Sequence, residues 1–154
     1  MGIRRVAIQL GSEAMIERIL CGILGTAFVV AGLLKFQNPL AFEKAIRAMH
    51  LVPNAFASAV SLWLPAFEIL CGLLVVIGFG RRPALLGCAV LGVMFVLVLG
   101  LAMSRGNLAG CGCFGAWDPF AKSPWLSLGR AMAFFFLATG LYLKAVANSL
   151  TSSQ

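Results

Sequence analysis

The sequence is short of charge. Only 11% of its 154 residues are charged, whereas 61% are hydrophobic. A soluble domain carries about 25% charged residues, and a chain of this length leaves too much of its surface in water to bury so many apolar side chains. The composition therefore excludes an ordinary soluble protein and favours one whose solvent is lipid.

Four long stretches have very few polar residues. A hydrocarbon core of ~30 Å takes roughly 20 helical residues to cross. The stretches also lack the alternating pattern of barrel strands, and helices satisfy their own backbone groups in lipid. The sequence predicts an all-α integral membrane protein with one membrane domain over residues 1–154. Its four-transmembrane-helix bundle should span about 16–36, 59–79, 83–103 and 124–142.

Two recognisable signals are also missing. The stretch after Arg4 and Arg5 is short and is broken by Glu13 and Glu17, which favours a retained first span over a cleavable signal peptide. No basic run interleaves with aromatic residues, so the net charge of +7 does not indicate binding to nucleic acid. The charge bears on topology instead.

The membrane orientation follows from the connections. Four spans place both termini on one side, and Lys and Arg divide evenly between the two sides. The tight turn at 80–83 contains Arg81 and Arg82, and short basic turns carry the most weight in the positive-inside rule. We expect cytoplasmic termini in a bacterial inner membrane, with the connections at 37–58 and 104–123 in the periplasm.

A short helix is predicted between spans 1 and 2. Asn38 can cap it and Pro39 suits its first position. Its expected polar side has Glu43, Lys44 and Arg47, and its expected apolar side has Leu40, Ala41, Ala45, Ile46 and Met49. This pattern is typical of a helix in the headgroup plane, and it also fits a helix packed over the bundle.

The outer cysteine loop, residues 104–123, contains Cys111-Gly112-Cys113. Glycine allows the sharp turn that brings two Cα atoms within the disulfide limit of about 7 Å. Strained, exposed disulfides exchange readily, and disulfides persist on the outer side of the membrane. The motif is interpreted either as a dithiol/disulfide pair that trades electrons with a partner or as a disulfide that only pins the loop. Cys111 and Cys113 with His50, the only histidine, form an alternative soft site for copper or zinc.

The remaining cysteines, Cys21, Cys71 and Cys88, lie within spans. Buried cysteine usually acts as a small apolar residue. The alternative is a relay that carries electrons across the membrane.

Glu68 lies in the middle of the second span. A carboxylate there is costly unless it is paired, neutral or in contact with water. Its candidate partners are Lys35, Arg130 and Arg105, all in the half of the bundle beneath the cysteine loop. This polar network is either an ion pair that holds the helices together or a proton site or quinone head-group contact that serves the disulfide.

Several short motifs occur in an order that resembles the MauE/DoxX-like membrane proteins. The motifs are Gly32-Leu-Leu-Lys35-Phe-Gln-Asn-Pro39, Leu64-Pro65-Ala-Phe-Glu68 followed by Gly72-Leu-Leu, then Arg81, Cys111-Gly-Cys113-Phe-Gly115 and Arg130. They cover nearly the whole chain, and the cysteine motif points to the MauE branch.

The resemblance implies a membrane accessory protein of periplasmic thiol-disulfide chemistry. Cys111 and Cys113 would be the redox pair, with Lys35, Glu68 and Arg130 as the family's polar positions. The expected partner is a thioredoxin-fold periplasmic protein, during maturation of a periplasmic redox enzyme. The alternative is an anchoring subunit of a larger membrane redox complex. If the chain is an enzyme, it is a thiol-disulfide oxidoreductase component, and a quinone cofactor is left open.

Overall fold

A computed structural model describes residues 2–48, 53–105 and 123–151. These residues form five helices and no strand: α1 (Gly2–Gln37), α2 (Pro39–Ala48), α3 (Asn54–Ile77), α4 (Arg81–Ser104) and α5 (Pro124–Thr151). Four segments are long and apolar enough to cross a membrane: Glu13–Gln37, Ala55–Ile77, Arg81–Ser104 and Trp125–Asn148. The predicted all-α membrane fold with four spans is confirmed.

Two helices are longer than the spans predicted from hydropathy. α1 begins at Gly2 rather than near residue 16, and α5 continues to Thr151 rather than ending near residue 142. No proline interrupts α1, so its hydrogen-bond ladder continues past the apolar stretch. Hydropathy marks the part of a helix that suits lipid, whereas the helix itself ends where its backbone can no longer pair.

The short helix between spans 1 and 2 is α2, which begins at Pro39 as expected. The Phe42 N–H donates to the Asn38 carbonyl at 3.2 Å. The packed face differs from the predicted one, because Phe42 is buried whereas Leu40 is 70% exposed. Phe42, Ala45 and Ile46 recur at helical spacing and lie at least partly buried. α2 therefore contacts the bundle through Phe42, with Leu40 directed outward.

A polar cluster joins α2 to α3. The Glu43 carboxylate accepts hydrogen bonds from Arg47 Nη2 at 2.6 Å and from Ser58 Oγ at 3.0 Å. The hydrogen bonds from Arg47 and Ser58 hold the pKa of Glu43 below its ordinary value. A lowered pKa means that the folded state is stabilised while Glu43 is ionised and loses this stabilisation as the pH falls through that pKa.

We expect acid to loosen α2 from α3 at Glu43. The stabilisation should be complete above about pH 4.5, the ordinary pKa of a glutamate, and should be lost as the pH falls from there through the lowered pKa of Glu43. Spin labels on α2 and α3 would report the distance between the helices as the pH is lowered. Glu43→Gln should remove the pH-dependent part of the change. An unaltered pH dependence in Glu43→Gln would contradict the assignment.

Glycines set the closest helix contacts in the bundle. A Cβ atom at Gly25 would lie 2.6 Å from the Gly72 carbonyl oxygen, and one at Gly72 would lie equally close to the Gly25 carbonyl oxygen. A Cβ atom at Gly92 would lie 3.1 Å from the Phe135 Cα atom. α1 therefore packs backbone to backbone against α3, and α4 packs closely against α5. Contacts between α1 and α5 are much fewer.

Ion pairs connect the helices at the end of the bundle near the two termini. The Arg81 guanidinium lies 3.0 Å from the Glu17 carboxylate and also donates to Cys21 Sγ at 3.0 Å. Lys144 Nζ lies 2.5 Å from the Glu13 carboxylate. These contacts connect α1 to the start of α4 and to α5. The cysteine loop joins α4 to α5 at the opposite end.

Candidate functional site: a polar cavity within the bundle

Lys35 and Glu68 form a buried ion pair between α1 and α3. Lys35 Nζ donates to Glu68 Oε1, and the two residues are only 2% and 0% exposed. Gly32 allows this approach, because a Cβ atom there would lie 2.8 Å from the Pro65 carbonyl oxygen and 3.3 Å from Glu68 Cβ. Of the three cations proposed for Glu68, Lys35 is the one that donates a hydrogen bond to it.

Two aromatic rings complete the surroundings of the Lys35 ammonium. Lys35 Nζ lies 4.5 Å from the centre of the Phe95 ring on α4 and 5.4 Å from that of Phe42 on α2. Both distances fall within cation–π range, where a ring face attracts a cation. The ammonium at the end of α1 therefore contacts α2, α3 and α4 at once.

A cavity of about 40 Å³ lies beside the ion pair. Four polar side chains line it: Lys35 from α1, Glu68 from α3, and Ser127 and Arg130 from α5. The other lining residues are apolar or aromatic: Ala27, Phe28, Ala31, Gly92, Phe95, Ala131 and Phe134. The structure thus brings three of the four residues of the predicted network, Lys35, Glu68 and Arg130, to one cavity.

Arg105, the fourth residue of the predicted network, lies elsewhere. It follows the last turn of α4, is exposed, and does not line the cavity. Its backbone N–H donates to the Leu101 carbonyl at 3.2 Å. Arg105 is exposed, whereas Glu68 is 0% exposed, so the two residues lie at different distances from the protein surface.

The predicted redox pair lies outside the described residues. Cys111, Cys113 and His50 fall within 106–122 and 49–52, for which no structure is given. Within the described ranges, no group of three or more His, Cys, Asp or Glu side chains could hold a metal ion. The proposals of a redox pair and of a copper or zinc site therefore rest on the sequence.

The three cysteines within spans share one apolar core. Cys21, Cys71 and Cys88 are buried, have free thiols and belong to a cluster that includes Leu24 and Leu85. Cys71 Sγ fills the space left by Gly87, where a Cβ atom would lie 2.7 Å away. For Cys71 and Cys88 this is the environment of small apolar side chains that fill the core, whereas Cys21 also accepts a hydrogen bond from Arg81.

Three residues near the Lys35–Glu68 ion pair and its cavity were not singled out from the sequence. Phe42 and Phe95 contact Lys35, and Ser127 lines the cavity one turn before Arg130. A signal for Ser127 is present, because Ser123, Ser127 and Arg130 recur at helical spacing on α5. Phe95 lies in a uniformly apolar span, so the residues around it in the sequence do not mark it as a contact of Lys35.

The size of the cavity limits what it can hold. A water molecule needs roughly 10–15 Å³ of cavity volume, whereas a benzene ring binds in cavities of roughly 150 Å³. The cavity therefore has room for about three water molecules. Its polar lining consists of one carboxylate, two cations and one hydroxyl group, all of which can form hydrogen bonds.

The comparison with known families agrees with the motifs. The model of the family described as "Methylamine utilisation protein MauE" matches residues 13–144. No curated protein and no solved structure gives a match. The matched range covers the four spans almost completely, together with Lys35, Glu68, Arg130 and the Cys111–Cys113 motif. This chain belongs to the MauE family of membrane proteins.

Proposed function

We propose that this protein is a membrane accessory protein of thiol-disulfide exchange. Its Cys111–Cys113 pair would react with a thioredoxin-fold protein in the periplasm during maturation of a periplasmic redox enzyme. The observation that carries the proposal is the Cys-Gly-Cys motif in the connection between the last two spans of a MauE-family chain. The family's name points to methylamine utilisation as the setting of this role.

The exchange step requires only the two cysteines and a partner dithiol. A partner thiolate attacks one sulfur of the Cys111–Cys113 disulfide, forms a mixed disulfide and releases the other sulfur as a thiolate. The second partner thiolate then attacks the mixed disulfide. The partner is oxidised to a disulfide, and Cys111 and Cys113 are reduced by the same two electrons. The reverse reaction follows the same steps.

The position of the loop supports this proposal. α4 ends at Ser104 and α5 begins at Pro124, so the loop connects the helix ends nearest the polar cavity. With cytoplasmic termini, this end faces the periplasm, where disulfides persist. Neither cysteine has Lys or Arg within five residues to favour its thiolate. We therefore expect the partner, rather than this chain, to supply the more reactive thiolate.

Loss of both loop cysteines should abolish mixed disulfides with partner proteins. Cells producing Cys111→Ser/Cys113→Ser would be quenched with acid and alkylated, and the tagged protein would be analysed on non-reducing gels. The matched control, Cys21→Ser/Cys71→Ser/Cys88→Ser, removes only thiols that are buried in the core and should leave the mixed disulfides in place. An unchanged set of mixed disulfides in the loop variant would contradict the proposal.

In the same cells, labelling with a membrane-impermeant maleimide tests on which side of the membrane Cys111 and Cys113 lie. Labelling of Cys111 and Cys113 only after reduction is expected if the pair is a periplasmic disulfide.

Stable co-purification with other membrane proteins, unaffected by loss of the cysteines, would instead favour the anchoring-subunit alternative. Copper or zinc in the purified protein, lost in the loop variant, would favour the metal-binding alternative.

A further inference from the structure

One oxygen of the buried Glu68 carboxylate lacks a protein donor. Oε1 accepts from Lys35, whereas Oε2 is fully buried and has no hydrogen-bond partner among the described residues. An ionised oxygen without a donor is strongly disfavoured in an apolar interior. A donor that is not part of the described chain is therefore expected at Oε2.

The cavity supplies the space for such a donor. It lies against Glu68, has room for about three water molecules, and is lined by the polar side chains of Lys35, Ser127 and Arg130. A buried water needs two to four polar partners, and these side chains provide them. Water satisfies Oε2 without any movement of the helices.

A polar stripe on α5 leads from the end of the bundle to this cavity. Ser127 Oγ donates to the Ser123 carbonyl at 3.4 Å, and Arg130 follows on the same side of the helix. Ser123 precedes the first residue of α5 and is half-buried. This stripe places polar groups on α5 between its first turn and the cavity.

We propose that this cavity is a hydrated proton-binding site within the membrane, with Glu68 as the group that takes up the proton. A hydronium ion in the cavity transfers its proton to Oε2 and becomes water, and the carboxylate becomes the neutral acid. Lys35 on α1 donates to Glu68, and Arg130 on α5 lines the same cavity. Among the described residues, α4 contributes only Gly92 and Phe95 to the lining, which cannot titrate, and α2 contributes no lining residue.

Two opposing effects set the balance between the ionised and the neutral form of the Glu68 carboxyl group. The Lys35 ammonium, which donates to the carboxylate, stabilises its ionised form, and the apolar surroundings stabilise the neutral acid. Proton uptake removes the negative charge that joins α3 to the Lys35 ammonium of α1. The site therefore couples proton binding to the contact between these two helices, and this property does not depend on the loop cysteines.

Solid-state NMR of the full chain in lipid bilayers tests the site. The chain has four glutamates, Glu13, Glu17, Glu43 and Glu68, so a carboxyl-¹³C-glutamate label gives few signals, and Glu68→Gln identifies the one of interest. We expect magnetisation transfer from water to the Glu68 carboxyl carbon and a change in its chemical shift as the pH is lowered. A dry carboxyl group, or one whose shift stays constant while the other three titrate, would overturn the proposal.

A matched pair of α5 variants separates hydration of the cavity from hydration of the protein surface. Ala131→Leu fills the cavity from a buried lining position, whereas Ala133→Leu adds the same volume on the exposed face. Transfer from water to Glu68 should fall several-fold in Ala131→Leu and should be retained in Ala133→Leu.

Ala27→Leu repeats the test from α1 should Ala131→Leu fail to fold. Retained transfer in the cavity-filling variant that folds would overturn the proposal. Cys111→Ser/Cys113→Ser should behave as the wild type, so failure of the thiol-exchange proposal is distinguishable from failure of this one.

Discussion

Replacement of Lys35 by Met is expected to lower the free energy of unfolding by about 3–5 kcal/mol. Lys35 and Glu68 are almost fully buried, and the ammonium donates to the carboxylate. Met preserves most of the side-chain length but leaves the Glu68 carboxylate without its cation. An unpaired charge in an apolar interior is the main cost. The free energy would be measured by denaturation in lipid bicelles.

A second substitution shows whether the cost comes from the unpaired charge. In Lys35→Met/Glu68→Leu both charges are gone, and replacement of a buried pair by apolar residues is often neutral or stabilising. We expect the double variant to recover most of the lost stability. Lys44→Met, which removes an exposed lysine from α2, should have little effect. A double variant as unstable as Lys35→Met would contradict the explanation.

Gly25→Ala is expected to destabilise the bundle by about 1–3 kcal/mol, the usual cost of overpacking. The new methyl group would meet the Gly72 carbonyl oxygen at 2.6 Å and the Val76 Cγ2 atom at 2.7 Å. A carbonyl on a neighbouring helix cannot rotate away, so α1 and α3 would have to separate. Because Lys35 and Glu68 join the same two helices, the ion pair should also be disturbed.

Gly22→Ala is the matched control on the same helix. A Cβ atom at Gly22 has no neighbour within 4 Å, and alanine is favoured over glycine within helices by roughly 0.5–1 kcal/mol. This variant should be as stable as the wild type or slightly more so. Denaturation of both variants in bicelles gives the comparison. Equal stability of Gly25→Ala and Gly22→Ala would show that the contact between α1 and α3 is looser than described.

The polar cavity lies in the half of the bundle where α4 ends and α5 begins. The cavity lies under the helix ends that the cysteine loop connects, so a proton site and a disulfide pair would face the same compartment. Each has its own test: mixed disulfides should disappear in Cys111→Ser/Cys113→Ser, whereas magnetisation transfer from water to Glu68 should fall in Ala131→Leu. Agreement of both tests would make this MauE-family chain a membrane protein in which thiol exchange and proton binding occur side by side.

The sequence by itself determined the membrane class, the four spans, the short helix at Pro39 and the membership of the family. These properties depend on local composition and on the order of short motifs, so neighbouring residues along the chain are sufficient to define them. It also indicated that Glu68 needs a partner, because an unpaired carboxylate within a span is costly.

Only the tertiary structure decided which groups meet. It paired Glu68 with Lys35, placed Arg130 at the same cavity and left Arg105 outside it. It also set Gly25 against Gly72 while Gly22 faces open space. The rotation of each helix about its axis and its depth in the bundle fix these contacts. Both depend on packing against other helices, which the pattern within one apolar span does not specify.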